Sequence, residues 1–473
     1  MAPLLAPVAV RTLFCWPTGA INLSITFVQK SDLSKPRPKA RTALVLAGGA
    51  ISGGAFKVGG LLALSRCLRN FSVTDFDIYL GLSAGAFLAA PMSAGVQPHE
   101  LVQALRGSQG RITKFNYLDF YQPNWREFVG RPARFVKDMA TVGPALPLAF
   151  AKMIPRRKSE LQARAKQFLN EPSVANAEAL FEPIVDDLAK GPFRGTGHYT
   201  PAGLFDNRGI ESYIRKNLER NDISNDFRQL KLATGKSLYI GATNLNTAHT
   251  ATFGHDEDHS VTISQAVQAS TAIPGFFRPA RIGPPGAEQD YIDACVQKTA
   301  NVSTVVNKGA ELIICYNPFR PFVNYRSRPG SSDRQSLADL GLGAVLNQAF
   351  RAMLHSRLRL GIDKLRLDQS FNGDCILIEP AETDSRFFDI NPLAFWKRAE
   401  SAAHGYQSVK TSIERHSGQL QKILGAYGIE VELEGMEDEF GAIQDARSAS
   451  AMMDVMEQPP EREKGLRLVV GGS

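Results

Sequence analysis

The sequence predicts an α/β protein, a three-layer α/β/α sandwich around a mainly parallel central sheet. Residues 42–46 form a short run rich in Leu and Val and bounded by glycines, which is typical of a strand covered by helices on both faces. A turn and a segment with helical apolar spacing follow this run, and the pattern repeats after a second run at 75–80. Further core strands are predicted at 237–243, 312–315 and 375–378.

The composition limits the classes of function. The 54 Lys and Arg residues against 47 Asp and Glu give a net charge of +7, a mild excess that favours anionic surfaces. No nucleic-acid recognition motif or dense basic helix occurs, so nucleic acid is not an expected partner. The five cysteines form no C-x-x-C pair, which indicates reduced structural thiols and a cytoplasmic protein. No apolar run approaches the roughly 18 residues that span a bilayer.

The glycine-rich segment at 47–54 connects the first strand to the first helix. Glycines let backbone N–H groups approach a ligand closely, and the helix dipole favours negative charge there. We therefore expect this segment to bind an anion or a developing oxyanion. Its spacing matches neither the dinucleotide fingerprint nor the P-loop, which argues against a nucleotide. A tight turn that lets the helix pack closely on the sheet is the other interpretation.

The second strand, at 75–80, leads into the pentapeptide G-L-S-A-G at 81–85 and then into a helix of small apolar residues. Strand, G-x-S-x-G and helix together form the context of a nucleophile elbow. The motif alone also occurs by chance, but its position about 30 residues beyond the glycine segment favours an active site. Ser83 is therefore the candidate nucleophile.

A serine hydroxyl needs a base that accepts its proton. None of the eight histidines stands at the end of an obvious core strand, although this pattern does not exclude a Ser-His pair. Asp293 follows the short strand at 291–292, where a buried carboxylate is costly unless it has a partner. Asp293 is the candidate base, and a structural cap of the following loop is the alternative.

These motifs resemble, in the same order, those of the patatin-like phospholipase family. That family carries a G-G-G-x-[RK]-G loop, a G-x-S-x-G elbow and a D-G-[GA] motif with the aspartate of a Ser-Asp dyad, and residues 241–245 and 265–277 are similar to segments that precede this aspartate. The resemblance covers roughly residues 42–415 and implies a patatin-like sandwich with Ser83 as nucleophile and Asp293 as base. It implies an oxyanion hole of backbone N–H groups from six residues: Gly48, Gly49, Ala50, Ile51, Ser52 and Gly53. No metal or organic cofactor is implied.

The chain departs from the family pattern in three places. Ser52 stands where the family has Arg or Lys, and the segment is one residue longer than usual. Ala294 follows Asp293 where the family has Gly, which costs on the order of 1 kcal/mol if that position needs a positive φ. These departures bear on rate and head-group preference more than on the reaction class.

The resemblance implies a lipid acyl hydrolase that cleaves carboxylic esters in the manner of a phospholipase A. A thioesterase or polyester depolymerase on the same dyad is an alternative, and so is a non-catalytic protein that binds lipid surfaces. The expected partners are a phospholipid or another acyl-ester lipid and, peripherally, an anionic membrane. The sequence does not predict an oligomeric state.

We predict four regions along the chain. Residues 1–41 form a poorly ordered leader and basic linker, and residues 42–425 form the catalytic domain. An insertion at about 107–200 interleaves basic and aromatic residues, which suits a patch that contacts anionic lipid, or alternatively an insert with its own small core. Residues 426–473 form an acidic, Met-rich tail.

Two long helices are predicted toward the end of the catalytic domain. Residues 336–367 carry apolar side chains on one broad face, and Met353 and Leu354 are expected in the core. Residues 392–424 are predicted to form the second helix.

Overall fold

The computed structural model describes residues 24–108, 110–124, 202–324, 336–433 and 449–458, together with residues 127, 163, 441–443 and 446. Residues 1–23 of the predicted leader, most of the insertion and the end of the tail lie outside these ranges. No helix in the described ranges is long and apolar enough to cross a membrane.

The strands form a nine-stranded sheet and a separate three-stranded sheet. The large sheet has the order β1-β12-β11-β2-β3-β6-β10-β9, with β7 also paired to β6, and the small sheet has the order β4-β5-β8. The strands are β1 (Ile25–Gln29), β2 (Thr42–Leu46), β3 (Ile78–Leu82), β4 (Gln122–Pro123), β5 (Gly203–Asp206), β6 (Ser237–Asn244), β7 (Thr250–Gly254), β8 (Gly275–Phe277), β9 (Ala280–Ile282), β10 (Gln289–Ile292), β11 (Leu312–Tyr316) and β12 (Asp374–Ile378).

The centre of the large sheet is parallel and its margins are antiparallel. Strands β12, β11, β2, β3 and β6 run in one direction. Strands β1, β7, β9 and β10 run against their neighbours. The predicted α/β class with a mainly parallel sheet is confirmed.

Helices cover both faces of the large sheet. They are α1 (Ala50–Cys67), α2 (Ala84–Ser93), α3 (Pro98–Arg106), α4 (Tyr117–Phe120), α5 (Arg208–Arg220), α6 (Phe227–Thr234), α7 (Ile263–Ser270), α8 (Val302–Asn307), α9 (Leu342–Leu367), α10 (Ser385–Asp389), α11 (Arg398–Arg415), α12 (Ser417–Ala426) and α13 (Ala449–Met456), with short 3₁₀ turns at Ala294–Val296, Leu337–Leu340 and Phe395–Lys397.

Alternate residues of the central strands enter two different cores. Leu44 and Leu46 of β2 pack in one core with α1, α2 and α11. Ala43 and Val45 point to the other face and pack with α8 and the C-terminal half of α9. This period of two, with apolar residues at every position, explains the unbroken apolar run in the sequence. The result is the predicted three-layer arrangement.

The structure corrects the predicted leader and adds a helix to the predicted tail. Ile25–Gln29, inside the predicted leader, forms strand β1 along β12, and Asp374 of β12 accepts hydrogen bonds from the Lys30 and Ser31 backbone. In the predicted tail, α13 packs against the domain and buries Met453 and Met456. An amphipathic segment of only a few residues is stable here because the domain supplies its apolar partner.

The predicted helices at 336–367 and 392–424 also differ in detail. The helix at Leu342–Leu367 is present, but in its N-terminal half Leu342 and Met353 are exposed, whereas Leu354 is buried. The second helix is divided into a 3₁₀ turn, α11 and α12. The expectation of a core position is thus wrong for Met353 and correct for Leu354.

Candidate functional site

Ser83 lies in the sharp turn between β3 and α2. Its backbone has φ 53° and ψ −127°, a conformation that a non-glycine residue adopts only under strain. A Cβ at Gly85 would lie 2.0 Å from the Leu46 carbonyl oxygen, so the turn can pass this close to β2 only with glycine there. The Ser83 N–H donates a 2.8 Å hydrogen bond to the Ser270 Oγ at the end of α7. The turn is therefore held by the neighbouring strand and by α7.

The pairing register of β6 brings the ends of β3 and β10 together. At Gly241, β6 pairs with Leu82 of β3 on one edge and with β7 on the other. At Thr243, β7 still pairs with one edge of β6. On the other edge of β6, the pairing with β3 has ended and Ile292 of β10 pairs there instead. Because β3 and β10 approach this point from opposite directions, the next residues, Ser83 and Asp293, come together beside β6. The structure thus brings together the two residues that the sequence selected.

Asp293 is 3% exposed and its carboxylate is only partly satisfied. Its backbone is fixed, since its N–H donates to the Ala272 carbonyl and its carbonyl accepts from the Thr243 hydroxyl. Oδ1 accepts a 2.8 Å hydrogen bond from the Cys295 N–H. Oδ2 is buried and has no hydrogen-bond partner in the described part of the chain. One oxygen therefore orients the carboxylate and the other remains able to accept a proton.

The pKa of Asp293 suits a base near neutral pH. Burial raises this pKa to about 6, while the nearby Ser83 hydroxyl, hydrogen bonding by Cys295 and the charge of Lys57 oppose the rise. An ordinary aspartate, with a pKa of about 3.9, would be a weaker base for a hydroxyl.

The glycine segment differs from the predicted six-residue loop. Helix α1 already begins at Ala50, so only Gly48 and Gly49 connect it to residue 47. The Ser52 N–H donates to the Pro392 carbonyl and the Gly53 N–H donates to the Gly49 carbonyl. Ser52 and Gly53 are therefore wrong as oxyanion donors, because their N–H groups are already used.

Three of the six predicted N–H donors have no acceptor among the described residues. These are the N–H groups of Gly49, the N-cap of α1, and of Ala50 and Ile51 in its first turn, where helical N–H groups lack intrahelical partners. The Gly48 N–H faces the Cys295 thiol instead. Gly48 itself lies against Ser83, since a Cβ there would be 3.3 Å from the Ser83 Cβ.

An apolar pocket of about 70 Å³ opens beside Ser83. Its lining residues include Ser83, Ala50 and Ile51, so the candidate nucleophile and two candidate donors border the same space. The remaining wall is almost entirely apolar and includes Leu88, Leu105, Phe115, Phe120, Phe276 and Phe395. The arrangement can hold an apolar group with its reactive carbon at Ser83.

The described start of the insertion contributes to this pocket. The Phe115 ring stacks on Tyr213, with centroids 4.5 Å apart, and Phe120 packs on Phe87. In this stretch the aromatic residues pack against the domain, and the two interpretations of the insertion as a whole stay predictions. The rest of the predicted patch, from residue 128 to 200, lies outside the described residues apart from residue 163.

The sequence did not single out Lys57, which is fully buried one helical turn beyond the glycine segment. Its ammonium donates hydrogen bonds to the carbonyl oxygens of Ala47 and Gly48. A lysine flanked by Phe56 and Val58 in an apolar helix was the available signal. Lysine is rarely buried fully, so such a position indicates a specific role.

The surroundings of the site bear on one further prediction, the strain at Ala294, and on the histidines. Ala294 begins a 3₁₀ turn and is not among the positive-φ residues. The backbone strain that a positive φ would cause at this alanine is therefore absent. The histidines whose partners are known bond elsewhere, for example His404 to Asp384 and His355 to Glu379. No group of three His, Cys, Asp or Glu side chains suited to a metal occurs in the described ranges.

Comparison with known proteins gives one family. The model of the family described as "Patatin-like phospholipase" matches residues 44–304. No curated protein matches the chain.

The solved structures to which the chain is similar include proteins from two organisms. VipD from Legionella pneumophila is 14% identical, with 93% of this chain and 94% of that chain covered and a TM-score of 0.31. A chain of the complex of full-length SpcU and ExoU from Pseudomonas aeruginosa is 13% identical, with 92% and 72% covered and a TM-score of 0.26. A second structure of the ExoU-SpcU complex gives 13% identity, 100% and 80% coverage and a TM-score of 0.22.

Proposed function

This chain belongs to the patatin-like phospholipase family, a family of lipid hydrolases, and on that premise we propose that it cleaves carboxylic esters of lipids with Ser83 as nucleophile and Asp293 as general base. The observation that carries the proposal is the free Oδ2 of a buried Asp293 beside a serine that faces an apolar pocket. A base and a nucleophile in this relation are what acyl transfer requires.

In the proposed reaction, Asp293 takes the proton of the Ser83 hydroxyl while Oγ attacks the ester carbonyl. The N–H groups of Gly49, Ala50 and Ile51 are the candidates that stabilise the resulting oxyanion, with the positive end of α1 behind them. The proton passes from Asp293 to the leaving alcohol. Water then attacks the acyl-enzyme, again with Asp293 as base, and releases the fatty acid.

The pocket supports a lipid acyl group as the part of the substrate that is recognised. Its wall offers aromatic and aliphatic side chains, and among the lining residues only Ser83, Thr271 and Arg398 carry polar side-chain groups. Such a wall binds a hydrocarbon chain through loss of water contact. The same dyad could act on a thioester or a polyester, so a substrate panel must accompany the test.

The experiment combines an activity-based probe with two matched variants. We expect a fluorophosphonate to label the wild type and not Ser83→Ala, and we expect Asp293→Asn to lower ester hydrolysis by on the order of 100- to 10,000-fold. Asp290→Asn is the control, because Asp290 lies on the same strand but in a surface ion pair with Arg281. Equal activity of the two Asn variants would contradict the proposed base, and an unlabelled wild type would favour a non-catalytic lipid-binding protein.

We also propose that the protein contacts anionic lipid surfaces peripherally. The N-terminal half of α9 exposes Leu342, Leu346, Phe350 and Met353, and α9 has no acidic residue before Asp363. This half of α9 adjoins the site, since Phe350 contacts Phe319, which packs with Cys295 and Ala50. An exposed apolar helix face that lacks acidic residues suits a lipid interface.

Vesicle sedimentation tests this contact. We expect Leu346→Glu to reduce binding to vesicles of phosphatidylglycerol and phosphatidylcholine, and Leu232→Glu to leave it unchanged. Leu232 is the matched control because it is an exposed leucine on a different helix, α6. Unchanged binding of Leu346→Glu would show that this face of α9 is not the contact.

A further inference from the structure

The buried ammonium of Lys57 stands in an unusual environment. The side chain is 0% exposed, and its hydrogen bonds go to two backbone carbonyls, those of Ala47 and Gly48. A buried cation is costly to desolvate and is usually paired directly with a carboxylate. A methionine or leucine would fill this position in an apolar helix without that cost. The lysine therefore needs an explanation beyond packing.

The two carbonyls belong to the peptide groups that connect β2 to α1. In a planar trans peptide the N–H points away from the C=O, and the described chain contains no cis peptide. The carbonyl of Ala47 shares its peptide with the Gly48 N–H, and the carbonyl of Gly48 shares its peptide with the Gly49 N–H. Because Lys57 holds both oxygens, both N–H groups must point away from the ammonium.

The first of these peptides shows where that direction leads. The Gly48 N–H faces the Cys295 thiol, and this thiol lies against the Asp293 carboxyl. The α-carbon of Gly48 is also next to Ser83. The direction away from Lys57 is thus the direction of the proposed dyad. The Gly49 N–H, which has no acceptor among the described residues, belongs to the second peptide held in the same way.

We propose, on the basis of the proposed function, that Lys57 is the positioning residue of the oxyanion hole. Its ammonium fixes the Ala47 and Gly48 carbonyls. From beneath the glycine segment it also supplies the positive charge that Ser52 does not supply within that segment. An ammonium bonded to a carbonyl also polarises that peptide and makes its N–H a stronger donor. The effect is largest when negative charge develops on the substrate oxygen, so it belongs to the transition state.

The electrostatics agree with this role. Burial lowers the pKa of Lys57 to about 7, and Cys295, Asp293 and Cys315 around it oppose this change. In the other direction, the charge of Lys57 is one of the groups that lower the pKa of Asp293. Protonated Lys57 and ionised Asp293 therefore coexist only in a window near neutral pH, and activity that needs both should fall on either side of it.

The test is Lys57→Met in the full chain, with Lys410→Met as the control. Lys410 is another buried lysine, but it pairs with Glu414 on α11 away from the site. We expect Lys57→Met to lower kcat by on the order of 100-fold with little change in KM, as for loss of an oxyanion donor. The kcat of this variant should no longer decline at alkaline pH. Its decline at acidic pH should begin at a higher pH than in the wild type, because the Asp293 carboxylate loses a stabilising cation. Lys410→Met should keep the wild-type pH profile.

Three results would overturn the inference. A Lys57→Met variant that is folded by circular dichroism and keeps the wild-type kcat and pH profile would show that Lys57 is only structural. If that variant does not fold, the wild-type profile decides, and a kcat that stays flat from about pH 7 to 10 would exclude a role for charged Lys57. A wild type that fluorophosphonate does not label would refute the proposed function itself, and the inference with it.

Discussion

The contact of Gly48 with the side chains of Cys295 and Ser83 gives the sharpest prediction, for a methyl group added at Gly48. The Cβ of Gly48→Ala would lie 2.2 Å from the Cys295 Sγ and 3.3 Å from the Ser83 Cβ. Non-bonded heavy atoms need about 3.5–4.0 Å, so the Cys295 sulfur must move by more than about 1 Å. Gly48 does not have a positive φ, so the substitution tests this clash and not the backbone conformation.

The expected cost has two parts. Overpacking of a closed core typically lowers the free energy of unfolding by about 1–3 kcal/mol. Displacement of the glycine segment relative to Ser83 by about 1 Å should lower kcat by on the order of 100-fold. In the Cys295→Ala background the sulfur is gone, and the closest remaining contact is the one at 3.3 Å to Ser83. Most of the stability penalty should then disappear.

A double-mutant cycle measures this coupling. Urea unfolding and ester hydrolysis of the wild type, Gly48→Ala, Cys295→Ala and the double variant should give a coupling free energy of about 1–3 kcal/mol. Gly361→Ala in α9 is the control, because nothing lies within 4 Å of its added Cβ, and it should be neutral or stabilising by up to about 1 kcal/mol. Penalties that simply add to within about 0.5 kcal/mol would refute the packing of Gly48 against Cys295.

Three further predictions follow from other contacts. Since the base must be ionised and burial raises the pKa of Asp293 to about 6, kcat/KM should fall about tenfold per pH unit below that value, and a pH-rate profile that is flat from about 4 to 7 would contradict it. Leu88→Phe narrows the pocket beside Ser83 and should shift the preference among p-nitrophenyl esters toward shorter acyl chains. An unchanged chain-length preference would place the acyl group elsewhere. Asp374→Ala removes the buried acceptor of the Ser31 N–H and hydroxyl. Urea unfolding should show that this variant lowers the free energy of unfolding by about 3 kcal/mol. In the control, Asp363→Ala at an exposed position should change it by less than about 0.5 kcal/mol.

The sheet and the elbow could be predicted because their requirements are local. The unbroken apolar runs of β2 and β11 are the direct consequence of burial on both faces. The turn at Ser83 needs small residues on either side, and the added Cβ at Gly81 or Gly85 would meet the backbone of a neighbouring segment at 2.4 Å or 2.0 Å. The residue types at positions 81–85 therefore predict the geometry of this turn.

Other features of the site could not be predicted because they depend on partners far away in the chain. The Ser52 N–H is used by the Pro392 carbonyl, some 340 residues later, so its residue type gave no sign that the donor was occupied. β1 is stable because β12 provides its partner strand. The N-terminal half of α9 is likewise exposed because no other described segment covers its apolar side chains. Apolar spacing alone cannot reveal this.

The sequence by itself determined the layered α/β fold, the elbow around Ser83 and the candidacy of Asp293, because short-range patterns and residue chemistry specify them. Only the tertiary structure decided that β3 and β10 end at the same point of β6, that three N–H groups of the glycine segment have no acceptor in the described part of the chain, and that Lys57 lies beneath that segment. The physical reason is that strand register, helix start and burial of a charge are properties of contacts between distant segments. A pattern along one chain contains the residues of those contacts but not their pairing.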